Sequence, residues 1–346
     1  MNEEALQVLA CPHDHTQLHL DSARKLTCEA GHEFPIIDGV PVLLPQNVEP
    51  TMDTAAASLI ISQQAAAFNR SAPDLYLGSL GISDVERTAI DELSRSATSE
   101  IDPVVQYLIA ATCGTAYKSV TGKLTYYPIP NIPLPKGEGR FLLDVGCNWG
   151  RWSISASRKG YRVIGLDPQL GAVVAASRIS KKLALPITYL CGDARFLPLH
   201  SNRLDVVYSY SVLQHLSPHD CRLSLQEAGR VLAPGGRAVI QMANIFGVRN
   251  LYQLTLRGLR RGRGIEVRYY RPAVLERLFR STIGETSLSV DCFLGLGLQE
   301  TDIPLLTGLA KTAAICSAAL KRASALIPGL AVVADSLFVN STKGPV

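Results

Sequence analysis

From residue 141 onward the apolar positions fall into short runs of four to six residues, at 141–145, 161–166, 187–190, 204–208 and 237–242. Runs of that size suit buried strands. Between them lie longer stretches with room for helices, one opening near Trp149 and others at 169–184 and 218–232. Ser217 and Pro218 read as a helix start, with Asp220 three residues after Ser217 to close a capping box. His219, in the first turn of that helix, reads as structural. Strand and helix in alternation predict a parallel sheet covered on both faces, with ligands held at the carboxyl ends of the strands.

Upstream the pattern changes. The stretches 52–68 and 102–117 read as helices, and "YYPIPNIPLPKGEG" then supplies prolines that break regular structure. This divides the chain into a small module at 1–46, a helical connector and substrate lid at 47–135, and an α/β domain at 136–346. Inserts stand at 245–272 and 300–334. The lid reading rests on Tyr126 and Tyr127, an aromatic pair placed to fold over the mouth of the next domain.

Composition narrows the setting. With 346 residues and 47% hydrophobic content, the chain carries enough apolar material for a full core. The net charge of +4 is too mild to imply nucleic acid by itself. Met1 is followed by Asn2, Glu3 and Glu4, acidic where a signal peptide is basic. Lys311, Lys321 and Arg322 interrupt the apolar C-terminal stretches well below the ~20 residues that a membrane span needs. The expectation is a soluble cytoplasmic protein whose eight cysteines are reduced.

Four of the seven histidines fall within the first 32 residues, alongside Cys11 and Cys28. Cys11-Pro12-His13-Asp14-His15 offers a thiolate with a carboxylate or imidazole two to four positions on. Cys28 and His32 form a second pair. Two such pairs suit tetrahedral zinc, and a unit of this size buries too little core to fold alone without a staple. The segment, with its "FPIIDGVPVLLP" ending, resembles the zinc-ribbon-like activator proteins of tRNA methyltransferases. Here Asp14 stands where that family has a second cysteine, and His32 ends the second knuckle. The candidate ligands are Cys11, Asp14, Cys28 and His32; the alternative is a ribbon that keeps the fold without the metal.

The turn "FLLDVGCNWGRW" holds Asp144, Gly146, Asn148 and Gly150. A dinucleotide site would want G-x-G-x-x-G. Asp144 would repel a pyrophosphate but can hold an ammonium group, and Asn148 tolerates a left-handed turn. Asp167, ending the second strand, is placed for both ribose hydroxyls. Asp193, in Gly192-Asp193-Ala194 after the third, is placed for an adenine amino group. A ligand with an amino-acid end and an adenosine end fits these positions, and S-adenosyl-L-methionine is such a ligand.

In their order these motifs resemble class I S-adenosylmethionine-dependent methyltransferases, specifically over roughly 140–245. The resemblance implies a Rossmann-like α/β fold. It also implies that 287–293 and 336–342 are the last two strands, paired antiparallel, and that Ala194 and Ser209 join the cofactor contacts. His215 and Tyr210, after the fourth strand, become the candidate catalytic residues beside Tyr208 and Gln214. His215 is either a general base for a hydroxyl acceptor or a support for the adenosine pocket.

Six arginines (Arg257, Arg260, Arg261, Arg263, Arg268 and Arg271) lie within fifteen residues, where such enzymes place substrate-specific elements. Guanidinium clusters recognise phosphate and carboxylate. The expected acceptor is a small molecule or a lipid- or glycan-linked hydroxyl, with an anionic membrane surface as a possible partner of the cluster. Two alternatives stand beside it: an RNA methyltransferase with a fused ribbon, and a non-catalytic scaffold that binds the cofactor.

Overall fold

The computed structural model describes residues 3–22, 24–67, 75–96, 100–113, 124–295 and 299–345. A short helix α1 (Glu3–Leu6) leads into four strands, β1 (Leu18–Ser22), β2 (Lys25–Cys28), β3 (Glu33–Ile37) and β4 (Val40–Leu43), paired antiparallel in sequence. The connector supplies α2 (Asp53–Ala67), α3 (Asp84–Ser96) and α4 (Pro103–Thr112). The end of the expected 102–117 helix, from residue 114, lies outside the described residues. The sequence reading does not include α3: nearly half of its residues are charged, and Ile90 is its buried anchor.

The alternating region follows the predicted pattern. It runs β5 (Phe141–Val145), α5 (Arg151–Arg158), β6 (Arg162–Asp167), α6 (Leu170–Lys182), β7 (Thr188–Gly192), β8 (Leu204–Ser209), α7 (Pro218–Val231) and β9 (Leu232–Ala243). The Ser217 hydroxyl accepts from the Asp220 amide at 3.1 Å, so α7 starts where its cap predicts. Then come α8 (Val248–Leu256), α9 (Pro272–Thr282), β10 (Gly284–Cys292), α10 (Gly308–Ser324) and β11 (Ser336–Lys343).

The seven later strands lie in the order β7-β6-β5-β8-β9-β11-β10. β5 to β9 run parallel, while β11 is antiparallel to both β9 and β10. This is the Rossmann-like α/β arrangement, with its crossover between β5 and β8, where the direction of strand addition reverses and ligands settle. The N-terminal strands do not stand apart. β4 adds to the edge of the same sheet, parallel to β7, pairing Val42 with Cys191 and Leu43 with Gly192. Leu9, Leu18, Leu26 and Phe34 share one buried core with Leu197, Leu199 and Leu225. The edge of β7, which would otherwise expose unpaired backbone groups, is thereby covered.

Candidate functional site

The turn after β5 is shaped by left-handed backbone. Gly146, Asn148 and Gly150 have φ of 74°, 49° and 85°. Asparagine tolerates that region where most side chains do not. At Gly146 there is a second constraint: a β-carbon would meet the Val212 side chain at 2.2 Å. The loop after β8 therefore rests directly on the loop after β5.

Two carboxylates anchor this turn. Asp144 is buried and accepts from the Ser153 hydroxyl at 2.6 Å. Asp167 accepts from the Asn148 amide at 2.9 Å and the Gln169 amide at 3.0 Å. Burial pushes the Asp144 carboxyl up to about 7 and that of Asp167 up to about 6, with the Asp167 charge adding to the rise at Asp144. Among the described residues neither has an ion-pair partner. The buried side-chain oxygen of Asn148 also has no hydrogen-bond partner. Buried carboxylates held by neutral donors alone, beside an orphaned amide oxygen, suit a ligand carrying positive charge and hydroxyl donors.

Two of the expected contacts, Asp193 and Ser209, carry hydrogen bonds within the protein. Asp193 was expected to meet an adenine amino group. Both its oxygens accept from Arg195, through the backbone amide at 2.9 Å, Nε at 3.2 Å and Nη2 at 2.7 Å. Arg195 continues to Asp220 at 3.1 Å and to the Glu49 carbonyl at 2.7 Å, so Asp193 clamps the loop after β7. The half-buried Ala194 beside it offers only backbone. Ser209, expected among the cofactor contacts, donates its buried hydroxyl to the Val145 carbonyl at 2.9 Å, tying β8 to β5.

Tyr210, expected to be catalytic, is buried. Its hydroxyl donates to Asp291 at 2.8 Å and accepts from Gln299 Nε2 at 2.7 Å, while its ring lies 4.6 Å from that of Trp152. Burial, reinforced by the Asp291 charge, holds its phenol well above the ordinary range. Tyr208 is also fully buried, with its ring 5.3 Å from Trp152 and its hydroxyl unpartnered among the described residues.

His215 lies on a short 3-10 turn, Leu213–His215, three residues beyond Val212. Its Nδ1 is 2.6 Å from the Ile265 carbonyl oxygen. A carbonyl only accepts, so Nδ1 carries the hydrogen and Nε2 presents its lone pair. Burial lowers the imidazole below its ordinary range, outweighing the contrary pull of that hydrogen bond, and keeps it neutral at pH 7.

Sequence reasoning missed one group of residues altogether. Arg151 pairs with Asp302, and Asp291 also accepts from Ser336 at 2.8 Å. The partners are far apart along the chain, with no local pattern to announce them. Tyr127, from the proposed lid, places its ring 6.1 Å from Trp149, while Tyr126 is exposed. The arginine cluster is partly internal. Arg257 donates to the Tyr269 hydroxyl and the Val267 carbonyl, Arg260 pairs with Glu266, and Arg268 donates to the His215 carbonyl.

In the N-terminal segment, the four predicted ligands converge. One donor atom each from Cys11, Asp14, Cys28 and His32 lies within 4.8 Å of every other. His32 Nδ1 is 3.4 Å from Cys11 Sγ, 3.3 Å from Cys28 Sγ and 3.2 Å from Asp14 Oδ2. Thr16 holds the other Asp14 oxygen at 2.9 and 2.6 Å, and the His13 ring stacks 4.5 Å from that of His32. His15 turns away toward Glu227.

Residues 142–236 match the family described as a methyltransferase domain. The ubiquinone biosynthesis O-methyltransferase of Azorhizobium caulinodans is 31% identical over 107 residues, covering 31% of this chain and 42% of the relative. Its counterpart from Rhizobium etli is 28% identical over 149 residues, covering 40% and 58%. The chain thus spans about half the length of the curated relatives it matches. Among solved structures, a SAM-dependent methyltransferase from Methanosarcina mazei is 16% identical with a TM-score of 0.44, covering 60% of this chain and 94% of that one.

Proposed function

We propose that this protein is an S-adenosylmethionine-dependent methyltransferase acting on the hydroxyl of a small or lipid-linked acceptor. The observation that carries the reading is the pair of buried carboxylates, Asp144 and Asp167, with no cationic side chain paired to them among the described residues, at the crossover of a sheet whose β5–β9 region matches methyltransferase domains. When bound, S-adenosylmethionine supplies a methyl group on a positively charged sulfur, already activated for displacement.

The chain's own residues then have separable tasks. Asp167 is placed to accept from ribose hydroxyls, and Asp144 to balance the positive charge through the turn. Tyr210, Trp152 and Asp291 form a rigid buried wall behind the loop that bears His215. His215, with Nδ1 fixed by Ile265, accepts the acceptor's hydroxyl proton at Nε2. Alignment and proton removal are what remains for a protein to do in this reaction. The O-methyltransferase names of the relatives favour a hydroxyl over a ring nitrogen.

The ribbon's donor set fits zinc: two thiolates, an imidazole and a carboxylate at mutual distances suited to one tetrahedral ion. We assign it a structural role, because β4 and the buried face of the ribbon brace the β7 edge rather than the β5–β8 crossover.

The test is incubation of purified protein with methyl-labelled S-adenosylmethionine and fractionated host extract. Label should enter a small-molecule or lipid fraction. Label in RNA alone would replace the acceptor assignment, and cofactor binding without transfer to any fraction would favour a scaffold.

A further inference from the structure

Helix α8 is built inside out. Val248, Leu251, Tyr252 and Leu256 recur at the spacing of one helical face, yet they are 58%, 45%, 61% and 64% exposed. An amphipathic helix in a globular domain turns such a stripe inward. The buried anchor of α8 is instead polar. Asn250 donates from Nδ2 to the Asn244 carbonyl at 2.8 Å and to the Asp335 carbonyl at 2.7 Å, and its amide meets Asp335 Oδ1 at 3.1 Å. The helix is thus held firmly by polar groups while its apolar face looks outward.

The patch extends on both sides. Leu259 and Ile265, on the following loop, are each 73% exposed. Asn244 also donates to the Val332 carbonyl at 2.8 Å, which brings the exposed Val332 and Val333 of the Pro328–Val333 turn beside the base of α8. The stretch 246–265 contains five arginines and no acidic residue. Arg257 and Arg260 are used internally, but Arg261 and Arg263 are exposed with no acidic partner for their side chains among the described residues.

We propose that α8, the arginine loop after it and the 328–333 turn form an interfacial surface that seats on an anionic lipid bilayer. Apolar side chains that enter the acyl boundary, rimmed by guanidinium groups that meet lipid phosphates, are the composition such a surface needs. Binding to nucleic acid would engage the arginines and leave the apolar stripe in water. No helix of the described residues is long and apolar enough to cross a membrane, so the contact is peripheral. The same loop touches the candidate site: the Ile265 carbonyl holds His215, and the Arg268 amide donates to the Gln214 carbonyl at 2.8 Å. Docking would therefore bring the His215 loop to a lipid-borne acceptor. That consequence rests on the methyltransferase reading; the docking itself does not.

The experiment is flotation of the full chain with vesicles of phosphatidylcholine alone or mixed with phosphatidylglycerol. The wild type should partition onto the anionic vesicles, less so in high salt, and little onto phosphatidylcholine alone. Leu251→Glu combined with Leu256→Glu should lower partition at least ~tenfold. Arg261→Ser with Arg263→Ser should weaken it and flatten its salt dependence. Thermal unfolding and S-adenosylmethionine calorimetry on the same samples show that the variants fold. No partition by the wild type, or equal partition by the Leu251/Leu256 variant, overturns the proposal. So does a stable dimer that this variant dissociates, since a second copy would then cover the face. Vesicle failure with normal cofactor binding removes docking alone; vesicle binding without cofactor binding removes the methyltransferase reading alone.

Discussion

Arg151 Nη2 donates to Asp302 Oδ1 at 2.6 Å, joining the first residue of α5 to a segment 151 positions later. Both side chains are buried, and Arg151 Nε also donates to the Pro128 carbonyl at 2.9 Å. One guanidinium thus ties the helix that follows the β5 turn to the connector and to the 300–305 turn. Gln299, whose amide donates to the other Asp302 oxygen at 2.8 Å, carries the same link on to the Tyr210 hydroxyl.

Removing one partner of a buried ion pair leaves the other charge without compensation. Asp302→Ala should therefore cost about 3–5 kcal/mol of stability. Replacing both, as Arg151→Met with Asp302→Leu, should recover most of that loss. Denaturant unfolding of the three proteins checks it. Equal stability of Asp302→Ala and wild type would mean that water reaches the pair and that it carries little energy.

The second prediction concerns Asp144 and Asp167. Burial raises both carboxyls, so the folded protein holds protons that the unfolded chain releases near pH 4. Their contribution to stability is fully present below that pH and is lost as pH rises through about 6 to 7. A bound cation reverses the balance by favouring the ionised forms. Affinity for S-adenosylmethionine should therefore rise from pH 5 to pH 8, with protons released on binding. Asp144→Asn should flatten this dependence. Calorimetry in buffers of different ionisation enthalpy measures the protons directly, and a pH-independent affinity would refute the linkage.

Asp167→Ala should weaken cofactor binding further, because each charge-assisted hydrogen bond lost is worth about 1.5–3 kcal/mol. Part of the loss would come from the turn itself, since Asp167 also holds the Asn148 amide. Asp167→Asn keeps acceptor capacity on one oxygen and should fall between the two. Direct titration of all three proteins ranks them.

The sequence made the parallel strands legible because each is a short apolar run bounded by turn residues, and the sheet buries both faces of them. The same logic located Asp144 and Asp167 at the carboxyl ends of β5 and β6. Side-chain partnership around the β5–β8 crossover was not legible. Nothing local says that Asp193 faces Arg195, or that the Ser209 hydroxyl is spent on Val145. Tyr210 reads from the sequence only as a residue that follows a strand end; its packing against Trp152 and Phe338 comes from other elements. The pairing of β4 with β7 was equally hidden, since an edge pairing across some 150 residues has no signature in either strand.

Zinc gives the fourth prediction. Protein purified without chelator should carry close to one equivalent, and Cys28→Ser should lose it. Because the N-terminal strands share a sheet and a core with the rest of the chain, that substitution should lower global stability rather than melt residues 1–46 alone. Metal analysis paired with hydrogen exchange across β4 and β7 tests both parts. Metal-free protein with full protection at β7 would leave a ribbon braced by packing only.

The last prediction separates the two roles of His215. As a base it must be neutral, and burial already lowers its protonation below the ordinary value of about 6.5. The wild-type rate should therefore rise with pH through a group below 6.5 and then level off. His215→Ala should reduce turnover ~10²–10⁴-fold while cofactor affinity barely changes. If the ring instead supports the adenosine pocket, cofactor binding should weaken, and saturating cofactor should restore most of the rate. His215→Gln adds a finer test, because its side-chain amide can still donate to the Ile265 carbonyl and hold the 265–268 loop, but it cannot accept a proton at neutral pH. Activity near wild type in that variant would show that the hydrogen bond, rather than the proton transfer, is what the position supplies.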